Sequence, residues 1–197
     1  MSNRFDNRSK GTFMKDVKFG TAMEKYFFHK WMEVAKSQGF QILRYLNNGV
    51  DNDGEYIEEG IDTSGADYNV SMSYENISVA NLPLEVKWVP TSGKLTLKKN
   101  DLKSYQRERS ALLFILNMGG AMLKKPADYD IDKHIQRIEN ASRDIYWGIM
   151  MPDMVTKVLK TEDRFGPISY MGNKIGIIIE EFEYPSLMNI RKFEVVE

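Results

Sequence analysis

The sequence predicts an α/β domain: a mixed central sheet flanked by helices, with a β-hairpin added at the C-terminus. Three observations predict it. Residues 111–117, ALLFILN, form a continuous apolar run with the length of a buried central strand. Leu82 to Val89 alternates, with Leu84, Val86 and Trp88 on one face and Glu85 and Lys87 on the other. The periodic segments come in the order helix, strand, hairpin, helix, strand, helix, strand, which suits helices packed on a sheet.

The elements follow in order. Met1 to Lys18 is polar and mixed, with Arg4, Arg8, Lys10, Lys15 and Lys18 against Asp6 and Asp16. It reads as an arm, with Phe5 and Phe13 as anchors. Such an arm either follows a phosphate backbone or is a solvated terminus. Phe19 to Ser37 reads as the first helix, because Met23, Phe27, Trp31, Val34 and Ala35 recur at helical spacing and Gly39 ends it. Phe40 to Leu46 reads as the first strand. The acidic loop after it carries Asp51, Asp53 and Glu55, but its later positions lack the Gly and Glu of a calcium loop.

Asp67 to Ser73 and Leu82 to Val89 read as a hairpin. Asp67, Asn69 and Ser71 share one face of the first strand. With the polar faces aligned, Asp67, Glu85 and Lys87 converge. Two hard carboxylates beside one cation suit a divalent metal that activates water near a phosphate. The same three residues also suit a solvated strand face with a cross-strand ion pair. Asp62, five residues before Asp67, is the fallback first acid.

Lys94 to Arg109 carries a basic run, with Asn100 or Asp101 as the cap of a helix reaching about Ser110. Its Lys94, Lys98, Lys99, Lys103, Gln106 and Arg107 are candidates for DNA-backbone contact; a solvated helix face is the alternative. Ile131 to Ser142 reads as a helix on the stripe Ile131, Ile135 and Ile138. Ile145 to Met151 reads as a buried strand, and Pro152 starts a short helix. Phe165 to Tyr184 reads as a hairpin turning at Gly172-Asn173. The domain reading is an arm over 1–18 and a single domain over 19–197, with its core over 19–151 and an addition over 152–197.

Composition narrows the chemistry. Hydrophobic residues make up 42% and charged residues 28% of 197 residues, enough to build a core. With Cys at 0 there is no disulfide, iron–sulfur cluster or thiolate zinc site. The two His, His29 and His134, give a His-based nuclease or a Ser-His-Asp hydrolase little to work with; His29 reads as a helix-surface or packing residue, not a ligand. The net charge of -1 is not that of an indiscriminate nucleic-acid binder. No apolar run long enough for a membrane span and no secretory h-region is visible, so the expectation is a cytoplasmic protein with no membrane partner.

Asp67, followed across a hairpin by Glu85-Val86-Lys87, resembles the motif of the PD-(D/E)XK nuclease superfamily, the restriction-endonuclease-like fold; Ala66 stands where the family usually has Pro. The resemblance covers about residues 19–151. It implies a Mg2+-dependent DNA endonuclease of restriction or phage type, with Mn2+ as a substitute. Asp67, Glu85 and the Val86 carbonyl would hold the metal, and Lys87 would act on the attacking water or the phosphate charge. Glu24, in the pattern Gly20-x-x-x-Glu24, would reach the metal directly or through water. An ordinary helix Glu favoured by the macrodipole is the alternative there, and Glu33 is a second candidate. Some family members also use a Gln or Tyr on the following helix, here Tyr105 and Gln106. A homodimer is expected if both strands of a duplex are to be cut. A Holliday junction resolvase, a repair nuclease of the same fold and a catalytically inactive DNA-binding module remain as alternatives.

Overall fold

The computed structural model describes residues 10–48, 66–90, 94–118, 123–140, 144–169 and 172–196. Asp62, Phe5, Arg4, Arg8 and the acidic loop lie outside them, as does the side chain of Phe13.

Helix α1 spans Lys10–Ser37. It starts earlier than its apolar stripe predicts, so residues 10–18, expected in an arm, are helical. Tertiary contacts hold these first turns. The Tyr129 hydroxyl donates to Asp16 Oδ1 at 2.8 Å, Lys125 pairs with the same carboxylate, and Phe19 lies edge-on to Tyr129. The helix stops at Ser37, and Gly39 just beyond it has a φ of 91°, the left-handed conformation that glycine adopts past a helix C-terminus.

The strands are β1 (Phe40–Asn47), β2 (Tyr68–Tyr74), β3 (Ile77–Val89), β4 (Lys94–Lys98), β5 (Ala111–Asn117), β6 (Ile145–Met150), β7 (Gly166–Ile168), β8 (Lys174–Glu180) and β9 (Arg191–Lys192). The other helices are α2 (Lys99–Glu108), α3 (Ile131–Asn140), α4 (Pro152–Leu159) and the short α5 (Tyr184–Leu187). The main sheet has the order β1-β2-β3-β5-β6-β9. Only its β3–β5 pair is parallel among the described pairings, so the sheet is mixed, as expected.

Each face of this sheet has its own core. Leu84, Val86, Ala111, Leu113 and Ile115 pack under Met23, Phe27, Phe28 and Trp31 of α1. Leu112, Phe114 and Leu116 pack on the opposite face with Leu102 and Tyr105 of α2 and Val155 and Val158 of α4. Strand β5 is buried along its whole length, the burial that its unbroken apolar run predicts.

In the basic stretch one strand is unanticipated and one expectation changes. Residues 94–98 form a strand, because Leu95 and Leu97 alternate inward while Lys94, Thr96 and Lys98 face outward. Helix α2 then begins at Lys99 with no side-chain cap, and Asn100 and Asp101 lie inside its first turn. The C-terminal hairpin turns at Gly172-Asn173 as expected, with φ of 65° and 57°. Its strands join β4 in a second sheet of order β4-β8-β7, and the chain then returns to pair β9 with β6. Gly176 permits the close approach of β8 to β4: a Cβ there would lie 2.7 Å from the Leu97 carbonyl oxygen.

Candidate functional site

The site forms where β3 changes partners. Strands β2 and β3 pair antiparallel from Tyr74↔Ile77 to Tyr68↔Leu84. From Leu84 to Val89, β3 pairs in parallel with β5. Pro83, which has no N–H to donate, falls just before that second pairing begins, where β3 is still one-sided. Past Leu84 the chains of β2 and β3 fork.

Asp67 sits at the mouth of this fork. Its Oδ2 accepts the Val86 main-chain N–H at 2.7 Å, so a carboxylate continues the ladder that β2 no longer supplies. A strand residue directs its N–H and C=O to the same edge. The Val86 carbonyl therefore opens on the same side as Asp67.

Alternation places Glu85 and Lys87 together on the α2 face of the sheet. Glu85 is nearly buried. Its Oε1 accepts from Lys87 Nζ and, at 3.0 Å, from the Tyr105 hydroxyl of α2. Lys87 Nζ also lies 5.9 Å from the centre of the Tyr105 ring. Tyr105 was legible only through the family resemblance, and the structure brings it into direct contact with the site. Gln106 points elsewhere, donating to Thr156 Oγ1 at 3.4 Å.

The electrostatics tie the cluster together. Burial, the largest influence, pulls the Lys87 pKa down, but Tyr105, Glu85, Glu24 and Asp67 together push it well above the ordinary lysine range. Glu24 of α1, on the other layer, is thus close enough for its charge to act on Lys87. Burial and the Glu85 carboxylate raise the Tyr105 hydroxyl, against the opposing pull of Lys87, so it stays protonated and donates.

Glu24 lies in the middle of α1, not in its first turn. The macrodipole alternative is therefore overturned, because that field falls off within the terminal turns. Glu33 is exposed and pairs with Lys30 at 3.1 Å, apart from this cluster. His29 is exposed, as expected, against Phe28 and Tyr45. His134 is buried against Phe19.

No family model, no curated protein and no solved structure matches this chain.

Among the described residues, no group of three or more His, Cys, Asp or Glu side chains is placed to hold a metal ion. The fork offers two carboxylates, Asp67 and Glu85, and one main-chain carbonyl, that of Val86. Hard oxygen donors in that number suit Mg2+, which keeps several of its waters.

The basic residues named as candidates for DNA contact differ in their surroundings. Lys94 pairs with Glu180 at 3.3 Å, Lys98 with Asp101 at 3.2 Å and Lys99 with Glu162 at 3.8 Å. Arg107 pairs with Glu108 at 3.3 Å, while Lys103 is exposed on α2. Several of these charges are thus already matched by acids of the same chain.

Sequence reading missed Asn48. Its Nδ2 donates to the Ala66 carbonyl at 2.8 Å and its main-chain N–H to the Asp67 carbonyl at 3.1 Å. Its Oδ1 accepts from Asn69 Nδ2 at 2.8 Å. No local pattern marks an Asn at a strand end for such a role; the contact appears only once β1 and β2 are aligned.

Proposed function

We propose that this chain is a divalent-metal-dependent DNA endonuclease with a restriction-endonuclease-like architecture. The observation that carries the reading is the Asp67–Val86 hydrogen bond at the strand fork, with Glu85 and Lys87 on the same stretch of β3. Asp67, Glu85 and the Val86 carbonyl would hold Mg2+, or Mn2+ in its place, and Glu24 would contribute through water. The ion, when bound, supplies an acidified water and neutralises phosphate charge.

The remaining work belongs to the chain. Because its pKa is raised, Lys87 is an ammonium at neutral pH. It acts by stabilising negative charge that builds on the phosphate. Tyr105 and Lys87 fix Glu85 through one oxygen, Oε1. Exposed Lys103 meets the DNA backbone, and two copies would act on the two strands of a duplex.

A second reading is a binding module on the same fold without catalysis. It is favoured by one observation: the Lys87–Glu85–Tyr105 contacts already satisfy the charges on β3 without an ion. Incubation of supercoiled plasmid with the protein, with Mg2+ and with chelator, separates the two. The endonuclease nicks only with the metal; the binding module retards the plasmid and leaves it intact under both conditions.

A further inference from the structure

We infer that Asn48 is the positioning residue that sets the Asp67 carboxylate for metal binding, an inference that rests on the endonuclease reading above. Asp67 stands just outside β2, which begins at Tyr68. Residues there have lost the β3 ladder, because the last β2–β3 pair is Tyr68↔Leu84. Something else must fix the main chain if the carboxylate is to be held in one place.

Asn48 does this from the neighbouring strand. It follows β1, whose last pair with β2 is Asn47↔Tyr68. Its side-chain amide donates to the Ala66 carbonyl at 2.8 Å, and its main-chain N–H donates to the Asp67 carbonyl at 3.1 Å. Both carbonyls of the pair 66–67 are therefore held by one residue. The amide is oriented in turn by Asn69, whose Nδ2 donates to Asn48 Oδ1 at 2.8 Å. The chain Asn69 → Asn48 → Ala66 is directional: reversing the Asn48 amide would set two donors and two acceptors against each other. The held peptide leaves the Asp67 side chain the reach that brings Oδ2 to the Val86 N–H. Without the clamp, the carboxylate would keep its charge and lose its fixed position, and supporting contacts of this kind commonly govern metal affinity.

The test uses the full chain and Mn2+ alone as the probe, with free Mn2+ read by electron paramagnetic resonance, beside amide hydrogen exchange at Val86. Asn48→Ala is expected to weaken Mn2+ binding by about tenfold. The same variant speeds Val86 exchange by about tenfold while Leu113 on β5 is unchanged. Asn69→Ala, which leaves the donor to Ala66 in place, gives a smaller effect of the same sign and guards against misfolding of the first variant. In cleavage, Asn48→Ala raises the Mg2+ needed for half-maximal rate and leaves KM for DNA unchanged, a split that general destabilisation would not produce. If Asp67→Asn abolishes Mn2+ binding while Asn48→Ala binds as wild type, the Asn48 inference is overturned and the endonuclease reading stands. If wild-type protein binds no Mn2+, both are overturned.

Discussion

Asp67 lies just before β2, where β2 and β3 have already parted, yet its carboxylate holds the Val86 amide at 2.7 Å. One side chain therefore closes the ladder and presents a negative charge beside the Val86 carbonyl. This doubles the consequence of substituting it: truncation to Ala removes a main-chain partner as well as a charge, whereas Asn retains an acceptor for the amide.

Tyr105→Phe isolates the contact across the second core. The variant removes the 3.0 Å bond to Glu85 Oε1 and keeps the ring in place. Glu85 retains Lys87, so the expected loss is about 1–2 kcal/mol of stability, read by urea denaturation. Turnover is expected to fall as well, because Glu85 is then held from one side only. Unchanged turnover would make Tyr105 a packing residue.

Glu24→Gln removes a charge from the middle of α1. Since Glu24 raises the Lys87 pKa from the opposite layer, the variant should change turnover more than melting temperature. High Mg2+ or Mn2+ should relieve part of the loss, as Mn2+ accepts nitrogen and oxygen donors more loosely. Wild-type turnover at every metal concentration would remove Glu24 from the site.

His134 predicts an acid-side loss of stability that owes nothing to the site. Burial, and then the nearby Arg137, lower its pKa below the ordinary 6.5. The folded state prefers the neutral ring, so the unfolded chain binds the additional proton as pH falls below about 6.5. Stability is full above that pH and declines until the folded-state pKa is passed. Melting curves of His134→Phe between neutral and mildly acid pH should show a shallower decline than wild type.

The basic residues predict a graded salt dependence. Lys98 and Lys99 already face Asp101 and Glu162, whereas Lys103 is exposed on α2. Replacing Lys103 alone should flatten the slope of log K against log salt by up to about one unit, and replacing Lys98 or Lys99 should change it less. A slope unchanged by Lys103→Ala would assign α2's outer face to solvent.

Much of the frame could be read from local pattern. The apolar run of β5 carries burial on both faces directly in its residue order, and the alternation of β3 carries its α1-facing side, though Glu85 and Val89 are buried on the other side as well. Pro152 and Gly172-Asn173 mark a helix start and a turn by their own backbone preferences. What escaped depends on partners far along the chain. Strand β4 is a strand because Lys94 to Lys98 lies against Glu180 to Gly176, and within a basic run its Leu-Thr-Leu alternation is too short to stand out. The early start of α1 depends on Tyr129 and Lys125 reaching back to Asp16. At the site, Glu85 and Lys87 were legible because two positions on one strand face one way. Asn48 was not, because its targets are carbonyls and carbonyls carry no residue identity.

The proposed function stands or falls on Asp67 and Glu85 binding a metal that drives strand cleavage. Supercoiled plasmid nicking in Mg2+ by wild type, Asp67→Asn and Glu85→Gln tests it most directly, since each amide keeps an acceptor for the contacts now made by the carboxylate. Mg2+-dependent nicking by wild type is expected, with a loss of at least about a hundredfold in each variant and melting temperatures near that of wild type. No nicking by wild type, or nicking by both variants at the wild-type rate, would contradict it.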